Sequence, residues 1–345
     1  MEDNYTKGCK WSPDGSCLLV GSVDKKLRLF NLPNPVAMGQ CLDESWQAES
    51  ERYNLPAVTV RERELIYDYA WYPHMRSDNP QSCCYQSYDH LDQLVAAKSV
   101  GFSLDGSMLL CGFKKTIRIF HTSRPGRTFE TIDAKGQPGI ISCMAFNPRL
   151  PNIFVAGSYL GNLGFYNTRR NNLFCRLDGC TGGVTQVAFS SCGIKLFTGT
   201  RKDDEILCWD IRKLGTILYS LKREISTNQR IYFDLEPELC RYLVSGDTRG
   251  KVLKWDLDQQ GVTECGDSVP VLQPSASFPA HKDCCNGISL HPYNAILATS
   301  SGQRHFPEPV ESDSSSDESV SKPMFSKKKI TQENTVKLWW LGGRS

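Results

Sequence analysis

The sequence predicts an all-β protein built as a propeller. Three observations carry that expectation: one motif order recurs along the chain, its spacing is nearly constant, and two copies end in Trp-Asp. In GCKWSPDGSCLLVGSVDKKLRLFN (8–31) an apolar strand is followed by a Ser-Pro-Asp-Gly turn and a second apolar strand ending in Gly-Ser. A tight turn and a third strand ending in an aromatic complete the unit. The same order returns at 99–121, 142–167, 184–210 and 230–256, and at 287–303 with its third strand displaced to NTVKLWWL (334–341). First-strand anchors fall at Trp11, Trp71, Phe102, Phe146, Phe189, Phe233 and Leu290. The intervals from Phe102 to Phe233 are 44, 43 and 44 residues, within the roughly 40–45 of a WD-repeat blade. Trp209-Asp210 and Trp255-Asp256 are the name-giving pairs. Residues 1–345 are therefore predicted to form a single WD-repeat β-propeller of about seven blades, each too small to bury its own face and stable only when stacked in a ring. Alternation in Lys-Leu-Arg-Leu-Phe (26–30) and Thr-Ile-Arg-Ile-Phe (116–120) fits strands half covered by a neighbour.

Two intervals break the period. Trp71 to Phe102 is only 31 residues, and after YDYAWYP (67–73) no Gly-Ser turn or closing aromatic strand appears. The second blade is expected to be incomplete, with a segment missing and an edge left unpaired. Phe233 to Leu290 is stretched by 257–284, read as a Pro/Gly/Gln-rich loop. A longer insertion, 305–333, splits the last blade. Its acidic serine run followed by Lys327-Lys328-Lys329 predicts disorder, with Ser312, Ser314, Ser315 and Ser316 as phosphorylation candidates.

Composition excludes several classes. With 40 basic and 38 acidic residues the chain has no global field to attract a polyanion, so nucleic-acid binding would need local clustering. MEDNYTKGCKW lacks the apolar region of a secretory signal, and no run approaches the roughly 18 apolar residues of a membrane span. The 15 cysteines sit in apolar strands or as vicinal pairs, and are expected to be reduced buried thiols in an intracellular protein. No phosphate loop, metal-ligand spacing or nucleophile–base motif is present. No cofactor and no enzymatic activity are expected. His281, after Pro279-Ala280, is expected to be a structural histidine in the loop entering its blade.

In a WD-type propeller the turn between second and third strands and the loop leading into the first strand open on one face. Those stretches deliver Lys25, Lys26, Lys114, Lys115, Arg201, Lys202, Arg230, Arg249 and Arg304 to that rim, together with Asn228 and Gln229. Arginine suits forked contacts to phosphate. Phe113, Tyr159 and Phe306 stand in the same loops as candidate stacking platforms for single-stranded bases. In FTGTRKDDEILCWD (197–210), Arg201-Lys202 reads as a phosphate clamp, with Asp203 or Asp204 closing the turn or pairing with the arginine. Arg201→Ala plus Arg230→Ala is expected to weaken RNA binding and leave folding intact. Protein ligands use this face too, so the alternative is a scaffold that binds ribonucleoprotein proteins and meets RNA only indirectly.

The run GTRKDDEILCWDIRKLGTILYSLKREISTNQRIYFDL (199–235) resembles the telomerase Cajal body protein family, as do KGCKWSPDGSCLL, GIISCMAFNP and KDCCNGISLHPYNAILATSSGQRHFPEP. The likeness covers nearly the whole chain. It implies recognition of the CAB box of small Cajal body RNAs and telomerase RNA. It also implies delivery of these ribonucleoproteins to Cajal bodies and support of telomerase assembly and telomere maintenance. The implied partners are telomerase and H/ACA ribonucleoprotein components and, for folding, the cytosolic chaperonin. The implied location is the nucleus and Cajal body, and also the cytoplasm. The chain departs from the family by starting at the first blade. It departs again where Ser82-Cys83-Cys84-Tyr85 runs directly into Tyr88 to Asp92, as a shortened isoform or an incomplete gene model would.

Overall fold

A computed structural model describes residues 4–37, 54–77, 79, 97–124, 126–259, 269–305 and 333–342. The described residues form an all-β WD-repeat propeller of six sheets. In the first sheet β1 (Thr6–Trp11), β2 (Cys17–Ser22), β3 (Lys26–Asn31) and β4 (Val58–Arg61) lie in chain order. The second holds β5 (Ser99–Phe102), β6 (Met108–Gly112), β7 (Thr116–His121) and β8 (Glu130–Asp133), and the third β9 (Ile141–Phe146), β10 (Ile153–Ser158), β11 (Asn162–Asn167) and β12 (Asn172–Asp178). The fourth is β13 (Val184–Phe189), β14 (Lys195–Thr200), β15 (Glu205–Asp210) and β16 (Thr216–Lys222). The fifth begins with β17 (Phe233–Leu235), β18 (Tyr242–Gly246) and β19 (Lys251–Asp256). The chain then returns to the fourth sheet as β20 (Val271–Leu272), parallel to β16, before β21 (Ala276–Pro279) closes the fifth. The sixth is β22 (Cys285–Leu290), β23 (Ile296–Ser301) and β24 (Val336–Trp340).

Burial explains the strand sequences. Second strands such as β2, β14 and β23 are covered on both faces by adjoining sheets, and apart from Lys195 at the start of β14 every residue in them is buried. They read as short unbroken runs of small and apolar residues. β12 faces water on one side and alternates exposed with half-buried residues throughout. The Ser-x-Asp-Gly turn closes on itself: Ser12 Oγ donates to Asp14 Oδ1 at 2.6 Å, and Gly15 N–H donates to Ser12 O at 2.9 Å with φ at 71°. Gly15 is placed where only glycine adopts that φ without strain.

The first five sheets are stacked through a glycine at or next to the end of the second strand, where β23 of the sixth has Ser300. A Cβ on Gly246 would lie 2.1 Å from Cys285 O, on the first strand of the next sheet. The same position in the first sheet, Gly21, meets Tyr69, 2.9 Å from a hypothetical Cβ. Tyr69 belongs to no sheet. The segment from Ile66 to Met75 is wedged between the first two sheets, with Tyr69, Trp71 and Met75 buried against Cys17, Leu19 and Leu27. Trp71 Nε1–H donates to Lys10 O at 3.0 Å, and on the other side Tyr72 packs edge-on against Phe102. One stretch of chain thus fills a gap that the other junctions close with a whole sheet. Among the described residues six sheets form rather than seven. Ser82 to Tyr85 and Tyr88 to Asp92 lie outside the described residues. The ring closes at β1 and β22, where Trp11 N–H donates to Ser289 Oγ at 3.1 Å and Thr6 Oγ1–H to Ser301 O at 2.6 Å.

The stretch 257–284, expected to be a loop, supplies β20 and β21 instead. Its apolar residues find a core to enter: Leu272 is buried beside Trp255, whose Nε1–H donates to Leu272 O at 3.1 Å. The described cysteines are unbridged, and burial pushes the Cys9, Cys143, Cys208 and Cys284 thiols up to about 12.

In the loop between β21 and β22, packed on the sixth sheet, His281 is buried with Nε2 2.7 Å from Thr299 Oγ1, which also accepts from Trp339 Nε1–H at 2.9 Å. Glu333 braces this group. Burial alone would raise its carboxyl, but hydrogen bonds from Lys337, the Lys282 amide, Thr335 and His281 bring it down to about 2. A carboxylate held below its unfolded value stabilises the fold above that value and stops doing so as pH falls through the folded one. Glu333→Gln is therefore expected to flatten the loss of stability between about pH 4.5 and 2, read as urea midpoints across that range. An unchanged acid limb would contradict the assignment.

Candidate nucleic-acid interface: the loop face of the ring

The turns joining second to third strands and the loops leading into first strands form one continuous surface. Neighbouring loops are sewn together by backbone bonds. Tyr159 N–H donates to Ile140 O at 3.1 Å, Arg201 N–H to Gly183 O at 3.0 Å, Thr248 N–H to Glu224 O at 2.9 Å and Gly302 N–H to Cys284 O at 2.9 Å. The turn at 201–204 is closed by its acids. Asp203 accepts from Thr200 Oγ1 at 2.7 Å and from the Glu205 amide at 3.3 Å; Asp204 Oδ1 accepts from Ile225 N–H at 2.7 Å. With both carboxylates so engaged, the Arg201 guanidinium lies over the ring of Tyr159 in the adjoining sheet, 4.8 Å from its centroid, a contact worth about 0.5–1 kcal/mol at such a site. Lys202, at φ 53°, is exposed. Asn228 is exposed on the next loop, and Arg249 is 67% exposed with Nε 2.7 Å from the Glu224 carboxylate, a surface pair worth roughly 0–1 kcal/mol that a stronger anion can replace.

Arg230 is placed differently. Its side chain is 12% exposed and crosses the axis of the ring: Nη1 lies 3.2 Å from Asp68 Oδ1 in the wedge and donates to Tyr232 Oη at 3.1 Å, and Nη2 reaches Ser142 O of the third sheet. Lys10 reaches the same carboxylate at 3.2 Å. Burial would raise the Asp68 carboxyl, but the Lys10 and Arg230 charges hold it below the usual range.

The pattern of the WD domain, G-beta repeat, matches residues 4–31 and 171–210. Over the whole length the chain is 44% identical to telomerase Cajal body protein 1 of Bos taurus, covering 99% of this chain and 66% of that one. It is 43% identical to the Homo sapiens protein of that name, covering 99% and 64%, and 42% identical to that of Mus musculus, covering 99% and 67%. The chain belongs to the telomerase Cajal body protein 1 family. It spans just under two thirds of the length of the bovine and human family members.

Within this family member the expected rim residues divide. Arg201, Lys202, Asn228 and Arg249 form one sector over the fourth and fifth sheets. Lys114 and Lys115 are exposed across the ring, and Lys25 and Lys26 are half-buried, with Lys25 Nζ bonded to Arg63 O at 2.9 Å. Gln229 is turned inward, its Nε2 donating to Gly302 O at 3.0 Å. Arg304 is exposed, beside His305, whose Nε2 is 2.8 Å from Asp283 Oδ2. Two expectations are corrected. Arg230 is committed to an internal ion pair, because the ring is narrow enough for it to span the axis; Arg230→Ala would disturb the fold rather than leave it intact. Phe113 is 9% exposed, packed against Leu109 and Cys111 with Arg118 over its ring, so it offers no face to a base. Phe306, Ser312, Ser314, Ser315 and Ser316 lie outside the described residues.

Sequence reasoning passed over Lys7, Lys98 and Tyr67. Lys7, Tyr67 and Lys98 each stand four residues before an anchor, Trp11, Trp71 and Phe102. That common offset brings them together: Lys98 Nζ lies 3.4 Å and Lys7 Nζ 5.3 Å from the centroid of the Tyr67 ring. Aligning the repeats by anchor, rather than reading only their turns, would have exposed the pair.

Proposed function

We propose that this chain is an RNA-binding scaffold that recognises the CAB box of small Cajal body RNAs and telomerase RNA, directs these ribonucleoproteins to Cajal bodies in the nucleus and supports telomerase assembly. Family membership supplies the biological setting. The observation that carries RNA contact is the single loop face on which Arg201, Lys202 and Arg249 gather in a chain of nearly balanced charge. Such a patch neutralises phosphates locally without any excess of basic residues overall. Telomerase and H/ACA ribonucleoprotein components are the proposed protein partners, and the cytosolic chaperonin is proposed to assist folding of a ring whose first and last strands must meet. We read the wedge at 66–75 as the remnant of a further blade, since Tyr69 takes against Gly21 the place that Cys285 takes against Gly246.

Ultraviolet crosslinking of purified protein to a naked CAB-box hairpin tests the reading. Adducts on peptides spanning 199–205 and 224–250 support it. Adducts that form only when ribonucleoprotein proteins are added would instead favour a scaffold that meets RNA indirectly.

A further inference from the structure

At the end of the ring axis that opens on the loop face, charge is out of balance. Lys10 and Arg230 share one carboxylate, Asp68. Asp234, the other acid within reach of Lys10, is half-buried, and desolvation pushes its carboxyl up to about 6 while the Leu290 and Leu235 amides bond it. Lys7 and Lys98 stand above this group. Lys7 Nζ donates to Ile66 O at 2.6 Å and shares the Tyr67 ring with Lys98, and neither ammonium meets a carboxylate among the described residues. Burial, then the Arg230 and Lys98 charges, bring the Lys7 ammonium down to about 8, with Asp68 pulling the other way. Two ammonium groups gathered on one ring, with no carboxylate beside them among the described residues, are poised to take up an anion. Tyr67, 38% exposed, keeps the place open to solvent.

We propose that Lys7 and Lys98, held on Tyr67 at the mouth of the ring axis, form a seat for a phosphate group of single-stranded RNA. The proposal rests on the RNA-scaffold reading and extends it from the rim to the axis. The seat is separate from the sector of Arg201, Lys202 and Arg249. It lies beside the wedge, and its two amines converge on one aromatic ring, so that they serve one phosphodiester. A free polyphosphate carries the same chemistry, so the two sources must be told apart.

The test compares wild-type protein with Lys7→Gln/Lys98→Gln and, separately, with Lys98→Gln alone, which leaves the half-buried Lys7 in place. The probes are a fluorescent octauridylate and sodium tripolyphosphate. The double variant is expected to bind octauridylate about tenfold more weakly near 100 mM salt. Its slope of log affinity against log salt should fall by about 0.7, as loss of one single-strand phosphate contact requires, with Lys98→Gln giving part of that. Thermal melts of both variants confirm that the ring is retained. If wild type binds octauridylate with its full slope and both folded variants bind it equally well, the seat is refuted while the scaffold reading stands. If wild type binds no RNA at all, the scaffold reading itself fails. Tripolyphosphate binding that needs both lysines, with octauridylate binding that needs neither, would assign the seat to a free anion and overturn the proposal.

Discussion

Asp68→Ala is expected to cost about 3–5 kcal/mol of stability, because it leaves the largely buried Arg230 and the half-buried Lys10 without their shared carboxylate. The Asp68 side chain is 6% exposed and Arg230 12%, and besides the two cations the carboxylate accepts from the Tyr69 amide at 3.0 Å and the Val100 amide at 3.1 Å. It therefore ties the wedge to the first sheet through Lys10, to the second through Val100, and across the axis to Arg230 and Ser142. Removing one partner of a buried pair leaves a desolvated charge; removing all partners does not. The triple variant Asp68→Ala/Lys10→Met/Arg230→Met is expected to recover much of the loss, a departure from additivity that marks a coupled group. Urea unfolding followed by tryptophan fluorescence reads both. A loss below about 1 kcal/mol for Asp68→Ala would mean that water screens the site and that the wedge is held by packing alone.

Gly246→Ala is expected to cost about 3 kcal/mol, at the upper end of overpacking effects. The added methyl would stand 2.1 Å from Cys285 O and 3.0 Å from its carbonyl carbon. Both are backbone atoms of β22 and cannot rotate away, so the junction of the fifth and sixth sheets has to open. Gly101→Ala is the control. Its methyl would find its nearest neighbours at 3.8 Å, on Met144, and the lost backbone freedom in the unfolded chain makes the change neutral or slightly favourable. Equal midpoints for the two variants would contradict the stacking described for the ring.

The architecture was legible because a blade is a local unit. Turn chemistry, strand alternation and anchor spacing all operate within some 44 residues, and each reports on the same sheet. What the sequence concealed was long-range. Nothing near Arg230 announces that its partners are Asp68 and Ser142, because those contacts exist only once the ring has brought distant inner strands to a common axis. Phe113 looked available because its turn is exposed; the side chain nonetheless points back into the second sheet and under Arg118. Val271 and Leu272 read as part of a loop because two residues are too few to show a period, and their parallel pairing with β16 depends on a partner about fifty residues away. Arg201 and Lys202 were placed on their turn by the repeat itself. The Tyr159 ring beneath Arg201 belongs to a neighbouring sheet and could only be seen after folding.

The most direct measurement sets equal charge removal on the two ends of the ring against each other. Arg201→Gln/Lys202→Gln/Arg249→Gln strips three cations from the loop face. Arg149→Gln/Arg169→Gln/Arg170→Gln strips three exposed cations from the β9–β10 and β11–β12 turns of the third sheet, on the opposite face of the ring. Affinity for a CAB-box hairpin is measured for both across 50–200 mM salt. The loop-face triple is expected to lose about tenfold or more, with its salt slope reduced by about 2, while the opposite-face triple binds as wild type does. Equal losses from both triples would show that the RNA senses only overall charge, and the loop face would have no claim to it.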